Sequence, residues 1–265
     1  MTDRRLRERM AGGRALVTGA SGGIGRAIAV RLAQIGVPSV LVARNAERLR
    51  ETIDAMRDAG GDGVAVAGDV TLPRDRRLAV AAARHAFGGL DLLVNNAGVS
   101  AHGRFLDGSP DRFGRILRVN LLAAAELTRE AAPLLEADGG GCVACVGSIL
   151  GWRGAPHNAE YSASKFALRG WCDAVRPELT RRGVHVLHAS PGTVDTGFFD
   201  HLVEKRGDLP WGKRRGRSPE SVAEAIVRGV ARRRNEVAIG WDDWAFVRLT
   251  RLAPWVLDRV MSRYG

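Results

Sequence analysis

The sequence predicts an α/β fold: a doubly wound parallel sheet with helices on both faces, as one domain with a C-terminal helical extension. Three observations carry this. Short apolar runs alternate with longer segments of helical spacing. The runs are apolar almost throughout, as strands covered on both faces must be. The first run leads through a glycine cluster directly into the first helical segment.

Ala15 to Val17 reads as the first strand, ending in Thr18-Gly19. Ile24 to Ile35 has helical spacing, and Gly36 is placed to stop it. Val40 to Val42 is a second strand. Arg44 to Ala59 is helical, closed by Gly60-Gly61. Val64 to Val66 is a third strand, with a helix over Leu78 to Phe87. Leu92 to Val94 is a fourth, followed by one helix from about Asp111 to Leu135. Cys142 to Val146 is a fifth, followed by a helix from about Tyr161 to Arg181, and Val184 to Leu187 is a sixth. Pro177 has no N–H and clashes with the preceding turn, so a kink or an early helix end is expected there. Right-handed crossovers wind these units into one sheet, whose ligands bind beyond the carboxyl ends of its strands. Residues 1–11 are expected to form a basic N-terminal arm. Residues 12–197 form the main domain, and 198–265 a lid and helical extension of it.

The chain has 265 residues and a net charge of +11, with 45% hydrophobic and 26% charged residues, a globular mix. No apolar run approaches the roughly 18 residues of a spanning helix. The arginine-rich N-terminus lacks the pattern of a secretory signal, and three cysteines do not make a disulfide framework. A reducing, cytoplasmic setting is therefore expected. The excess charge is peripheral: +3 in residues 1–14 and +5 in residues 198–265, leaving +3 between. That argues for a solvated surface and against a nucleic-acid reader. Only three of the 40 basic residues are lysine, at positions 165, 205 and 213, and only two tyrosines occur, Tyr161 and Tyr264. A lysine kept among so many arginines suggests a need for lysine at Lys165.

After the first strand comes Thr18-Gly19-Ala20-Ser21-Gly22-Gly23-Ile24-Gly25, opening a helix. Gly19, Gly23 and Gly25 allow a tight turn and close approach of a pyrophosphate, held by the free N–H groups and positive dipole of the helix end, with Ser21, Gly22 and Ile24 in the same loop. A carboxylate about 20 residues further on normally takes the ribose hydroxyl of NAD. Here Ala43 ends the second strand and Arg44 follows. A guanidinium there pairs with a 2′-phosphate, so NADP(H) is expected over NAD(H). Asp69-Val70 ends the third strand, where an adenine would lie. Asn95-Asn96-Ala97-Gly98 ends the fourth and is expected to tie loops together and leave the cofactor room.

Ser148 follows the fifth strand, and Tyr161 and Lys165, at i and i+4, share a helix face. Asn120 lies in the helix after the fourth strand. Together with Thr18-Gly19-x3-Gly23-x-Gly25, Asn95-Asn96-Ala97-Gly98 and Pro191-Gly192-Thr193-Val194-x-Thr196, these residues resemble the short-chain dehydrogenase/reductase family over roughly residues 12–200. The resemblance implies a single Rossmann domain and NAD(P)-dependent oxidoreduction of alcohols and carbonyls. It implies Tyr161 as acid/base, Ser148 orienting the substrate oxygen, Lys165 binding the nicotinamide ribose and tuning the tyrosine, and Asn120 holding a relay water. Thr193 to Thr196 would close over the carboxamide. The physics is consistent: a phenol titrates near 10, and an adjacent ammonium is expected to favour the phenolate.

Cys142 and Cys145 are expected on opposite faces of a strand rather than as a pair. The six histidines show no ligand spacing, so no catalytic metal is expected, and His157 reads as a loop histidine. Phe198, Phe199, Leu202 and Trp211 would form an apolar lid or a packing segment. With Ile149, Leu150 and Trp152 they suggest a hydrophobic ketone, aldehyde or alcohol as substrate. Ser218 caps a helix running to about Arg233, with Pro219 in its first turn. Residues 244–263 place Leu249, Leu252, Ala253, Val256, Leu257 and Val260 at helical spacing beside Arg248, Arg251, Arg259 and Arg263, with Trp244, Trp255 and an interrupting Pro254. Such a helix lies on an anionic membrane, or packs on the domain or a partner subunit. The resemblance also implies a homodimer or homotetramer through the helices carrying Asn120 and Tyr161. The alternative reading is a non-catalytic NADP(H)-binding regulator.

Overall fold

The computed structural model describes residues 1–200, 202–207 and 216–264. Among these residues seven parallel strands form one sheet: β1 (Ala15–Thr18), β2 (Ser39–Ala43), β3 (Gly63–Ala67), β4 (Leu92–Asn95), β5 (Cys142–Val146), β6 (His185–Ser190) and β7 (Glu236–Ala238), in the order β3-β2-β1-β4-β5-β6-β7. The order reverses direction at β1, between β2 and β4, which opens a crevice at the carboxyl ends of β1 and β4. The short seventh strand is an addition to the six expected. Its three residues, Glu236 exposed and Val237 and Ala238 half-buried, carry no apolar run.

The helices are α1 (Asp3–Met10), α2 (Gly23–Gln34), α3 (Ala46–Asp58), α4 (Pro73–Phe87), α5 (Arg112–Leu117), α6 (Ala123–Glu136), α7 (Ala159–Arg181), α8 (Pro219–Ala231), α9 (Trp241–Leu252) and α10 (Pro254–Met261). Two buried apolar clusters lie one on each face of the sheet. One packs β1, β2 and β5 against α2, α3 and α8; the other packs β4, β5 and β6 against α4, α6 and α7. Cys142 belongs to the first and Cys145 to the second, the opposite-face placement expected of neighbours three apart on a strand.

The basic N-terminal segment is helical and docked. Leu6 is fully buried, and Arg7 and Arg9 donate to the Gln34 and Ala231 carbonyls at the ends of α2 and α8. Cations there meet the negative ends of two helices. Pro177 neither ends nor splits α7, which runs through it to Arg181. Pro177 and Asp173 are both exposed, so water can take the carbonyl that the missing N–H leaves open. The single helix expected over residues 111–135 is divided by a π-helical turn, Arg118–Leu122. The tail helix is also divided, at Ala253 before Pro254. Ser218 caps α8 as expected, accepting from Ser221 N–H, and Pro219 opens the helix.

Candidate active site

The glycine cluster forms an open cradle at the start of α2. Gly19 and Gly23 adopt φ of +65° and +51°, in the left-handed region. A Cβ on Gly25 would stand 2.3 Å from the Gly19 carbonyl oxygen, whereas one on Gly22 would meet nothing within 4 Å. The first turn of α2 carries no acidic residue. Ser21 and Ile24 are half-buried at the rim. This shape and polarity fit a pyrophosphate. Asn96 donates to the carbonyls of Thr18 (2.9 Å) and Gly19 (3.3 Å), while the Thr18 hydroxyl accepts from Asn96 and Ala97 N–H at 3.0 Å each. Thr18, at the end of β1, thereby stitches β1 to β4 beneath the cradle.

Arg44 stands exposed at the end of β2, with no ion pair among the described residues. Asp69, beside Val70 in the loop after β3, spends one carboxylate oxygen on Thr71. The segment Pro191-Gly192-Thr193-Val194 to Thr196 crosses the cradle. A Cβ on Gly23 would meet the Thr196 methyl at 3.0 Å, and Gly192 N–H donates to Asp243 at 3.2 Å. Asp243, from α9, is buried beside Arg217. Burial pushes its carboxyl up, against the Gly192 bond and Arg217. No local motif marks it.

Tyr161 and Lys165 project together from the first turns of α7, with the ammonium 5.7 Å from the centre of the phenol ring. Ser148, after β5, caps a short turn through Leu150 N–H (3.1 Å), and its hydroxyl hydrogen-bonds the phenol. Lys165 is buried and donates to the Val146 carbonyl at 2.8 Å. Gly98 leaves space beside it: a Cβ there would lie 3.7 Å from Lys165 Nζ and 3.4 Å from Asn120 Oδ1. Asn120 sits on the π turn, accepting from Val99 N–H (2.8 Å) and donating to the Val99 carbonyl and the Ser164 hydroxyl (2.9 Å each). Ser164 in turn donates to the Tyr161 carbonyl. Asn120 thereby ties the β4 loop to α7. π turns commonly occur where one side chain must be aimed.

The electrostatic balance differs from the expected one. Burial pushes the phenol up to about 12, opposed only by the bond from Ser148, and pushes the Lys165 ammonium down to about 8. Desolvation dominates both groups and Lys165 does not offset it at the phenol, which is protonated at neutral pH.

Phe198 packs on the Tyr161 ring at 6.0 Å between centroids and Phe199 packs edge-on against Phe198. Leu202 is half-buried in the same segment, which is laced to residues 100–103 by backbone bonds. Trp211 lies outside the described residues. Trp152 leaves the expected apolar pocket: Arg169 and Arg251 cover its ring, at 3.5 and 4.2 Å, and its N–H donates to Ser190. His157 is a half-buried loop residue stacked on His102.

A family model for short chain dehydrogenases matches residues 14–207. The chain is a member of the short-chain dehydrogenase/reductase family. It is 34% identical over 258 residues to the ketoacyl reductase HetN of a Nostoc species, covering 94% of this chain and 88% of that one. A short-chain dehydrogenase/reductase from Burkholderia phymatum, solved with NAD, superposes with a TM-score of 0.83 at 26% identity, covering 92% of this chain and 95% of that one. One from Sphingobium yanoikuyae, solved with NADPH, gives 0.77 at 25% identity and the same coverage. The chain is thus an NAD(P)-dependent oxidoreductase with a Rossmann-type sheet.

Proposed function

We propose that this short-chain dehydrogenase/reductase is an NADP(H)-preferring enzyme that reduces a hydrophobic ketone or aldehyde. The observation that carries the reading is the grouping of the Tyr161 phenol with Ser148, Lys165 and Phe198. The phenol is hydrogen-bonded to Ser148, has Lys165 on the same helix face, and lies under Phe198. The cradle over Gly19 to Gly25, with the 191–196 segment across it, holds the dinucleotide, and Arg44 takes its 2′-phosphate. Bound in the reduced form, the dinucleotide supplies a hydride to the carbonyl carbon. Tyr161 gives its proton to the carbonyl oxygen, and Ser148 donates a hydrogen bond to the charge developing there. The phenolate left behind recovers a proton from solvent, and Lys165 stabilises it meanwhile. Asn120 is a positioning residue: both of its amide hydrogens are committed to protein oxygens, leaving one Oδ1 lone pair to hold a relay water. Ile149 and Leu150 beside Ser148, with Phe198 and Phe199 opposite, favour an apolar substrate.

A spectrophotometric panel of ketones and aldehydes with NADPH tests the reading. Turnover is expected on apolar members. Tyr161→Phe is expected to lower kcat more than about 100-fold, the usual contribution of a positioned acid, with the NADPH dissociation constant nearly unchanged. NADPH binding without turnover on any substrate would instead support the regulator.

A further inference from the structure

The C-terminal helices α9 and α10 close one side of the domain, and their outward side is unusual. Trp241 is 82% exposed, Trp244 54%, Leu252 73% and Trp255 66%, with Val256 and Val260 also exposed. Along α9, Trp241, Trp244, Arg248 and Leu252 follow at the spacing of one helical stripe; along α10, Trp255, Val256, Arg259 and Val260 are exposed as well, with Arg263 in the turn after it. The cations on this stripe are not used by the fold. No carboxylate of the described residues pairs with Arg248, Arg259 or Arg263, and Arg248 lies over the Trp244 ring at 5.0 Å. The acids of the two helices turn instead to arginines of the body: Asp242 and Asp243 pair with Arg217, and Asp258 with Arg153. Leu257 and the Arg251–Trp152 stack supply the inward anchor. The result is an exposed surface of indole rings, aliphatic side chains and uncompensated guanidinium groups.

We propose that this face of α9 and α10 docks on an anionic membrane surface. Tryptophan combines an apolar ring with a polar N–H and settles at the level of lipid headgroups, and arginines beside it meet anionic lipid. A second copy of the chain is the poorer occupant, because an isologous contact would set this cationic stripe against itself. The inference rests on this surface alone and is independent of the catalytic reading.

Flotation of the full-length protein with vesicles tests it. Binding is expected to phosphatidylcholine vesicles containing phosphatidylglycerol, with a blue shift of tryptophan emission, and to fall steeply with added salt. Pure phosphatidylcholine vesicles should bind much less. The triple variant Arg248→Gln, Arg259→Gln, Arg263→Gln should partition about 100-fold more weakly, from roughly fivefold per charge, with its thermal melting unchanged. The double variant Trp244→Ala, Trp255→Ala should lose the emission shift. If the wild-type protein stays unbound with anionic vesicles at low salt, or floats equally with both compositions, the proposal is overturned. Should the triple variant fail to fold, the salt and lipid dependence of the wild type decides alone.

Discussion

Tyr161, Lys165 and Ser148 show how burial sets the chemistry of individual groups. Lys165 is 4% exposed, and its ammonium is depressed from 10.5 to about 8 chiefly by desolvation. A difference of that size corresponds to roughly 3 kcal/mol. Below about pH 8 both folded and unfolded chains carry the charge, and the folded state bears its full desolvation cost. Between about 8 and 10.5 only the unfolded chain keeps the proton, so this cost fades as pH rises. Lys165→Met is therefore expected to make the ligand-free protein more stable at pH 7 by about 1–3 kcal/mol, after allowing for the lost bond to Val146. The advantage should shrink from pH 8 to 10.5 in denaturant unfolding, and kcat/KM should fall by at least about 100-fold. Arg44 offers a second test at this scale. Removing a charge-assisted contact of about 1.5–3 kcal/mol should raise the KM for NADPH about 10- to 100-fold in Arg44→Ala and leave that for NADH alone. The identities of these residues were legible in the sequence because each follows a strand. Their ionisation was not, because desolvation depends on what surrounds them.

At the scale of elements, the turn into α2 was readable in detail. Its glycines nevertheless serve different ends that only the coordinates separate. A Cβ on Gly25 meets backbone at 2.3 Å, so Gly25→Ala should destabilise the protein by about 1–3 kcal/mol and weaken dinucleotide binding. Gly22 is extended and faces open space, so Gly22→Ala should melt like the wild type while weakening NADPH binding by crowding the cradle. Thermal melts and calorimetric titration check the pair. Misread elements share a cause. The π turn at Asn120 and the strand β7 both depend on partners distant in sequence: Val99 captures Asn120, and β6 pairs with β7. Asp243 is the sharpest case. It lies 51 residues from the glycine whose N–H it holds.

At the scale of the whole molecule, charge and apolar surface are sorted by region. Arg7 and Arg9 near the N-terminus answer helix ends, whereas Arg248, Arg259 and Arg263 near the C-terminus face outward. No helix of the described residues is long and apolar enough to cross a membrane. A separate apolar face spans α5, the π turn and α7, where Phe113, Leu122 and Phe166 are exposed. We expect this face to bury against a second copy, giving a dimer or tetramer. Light scattering coupled to gel filtration should show the oligomer for the wild type, and a smaller species for Leu122→Glu, Phe166→Glu, which desolvates carboxylates in any such contact.

By itself the sequence determined the parallel α/β class, the glycine-rich turn into α2 and the residues at the strand ends, since these follow from periodicity and from short spacings along the chain. Tertiary structure alone decided which way each group ionises, where Asn120 and Asp243 are anchored, that Trp152 supports α9 rather than a pocket, and which arginines remain outside. Those outcomes depend on burial and on neighbours supplied by distant segments, and neither is written into any local stretch of residues.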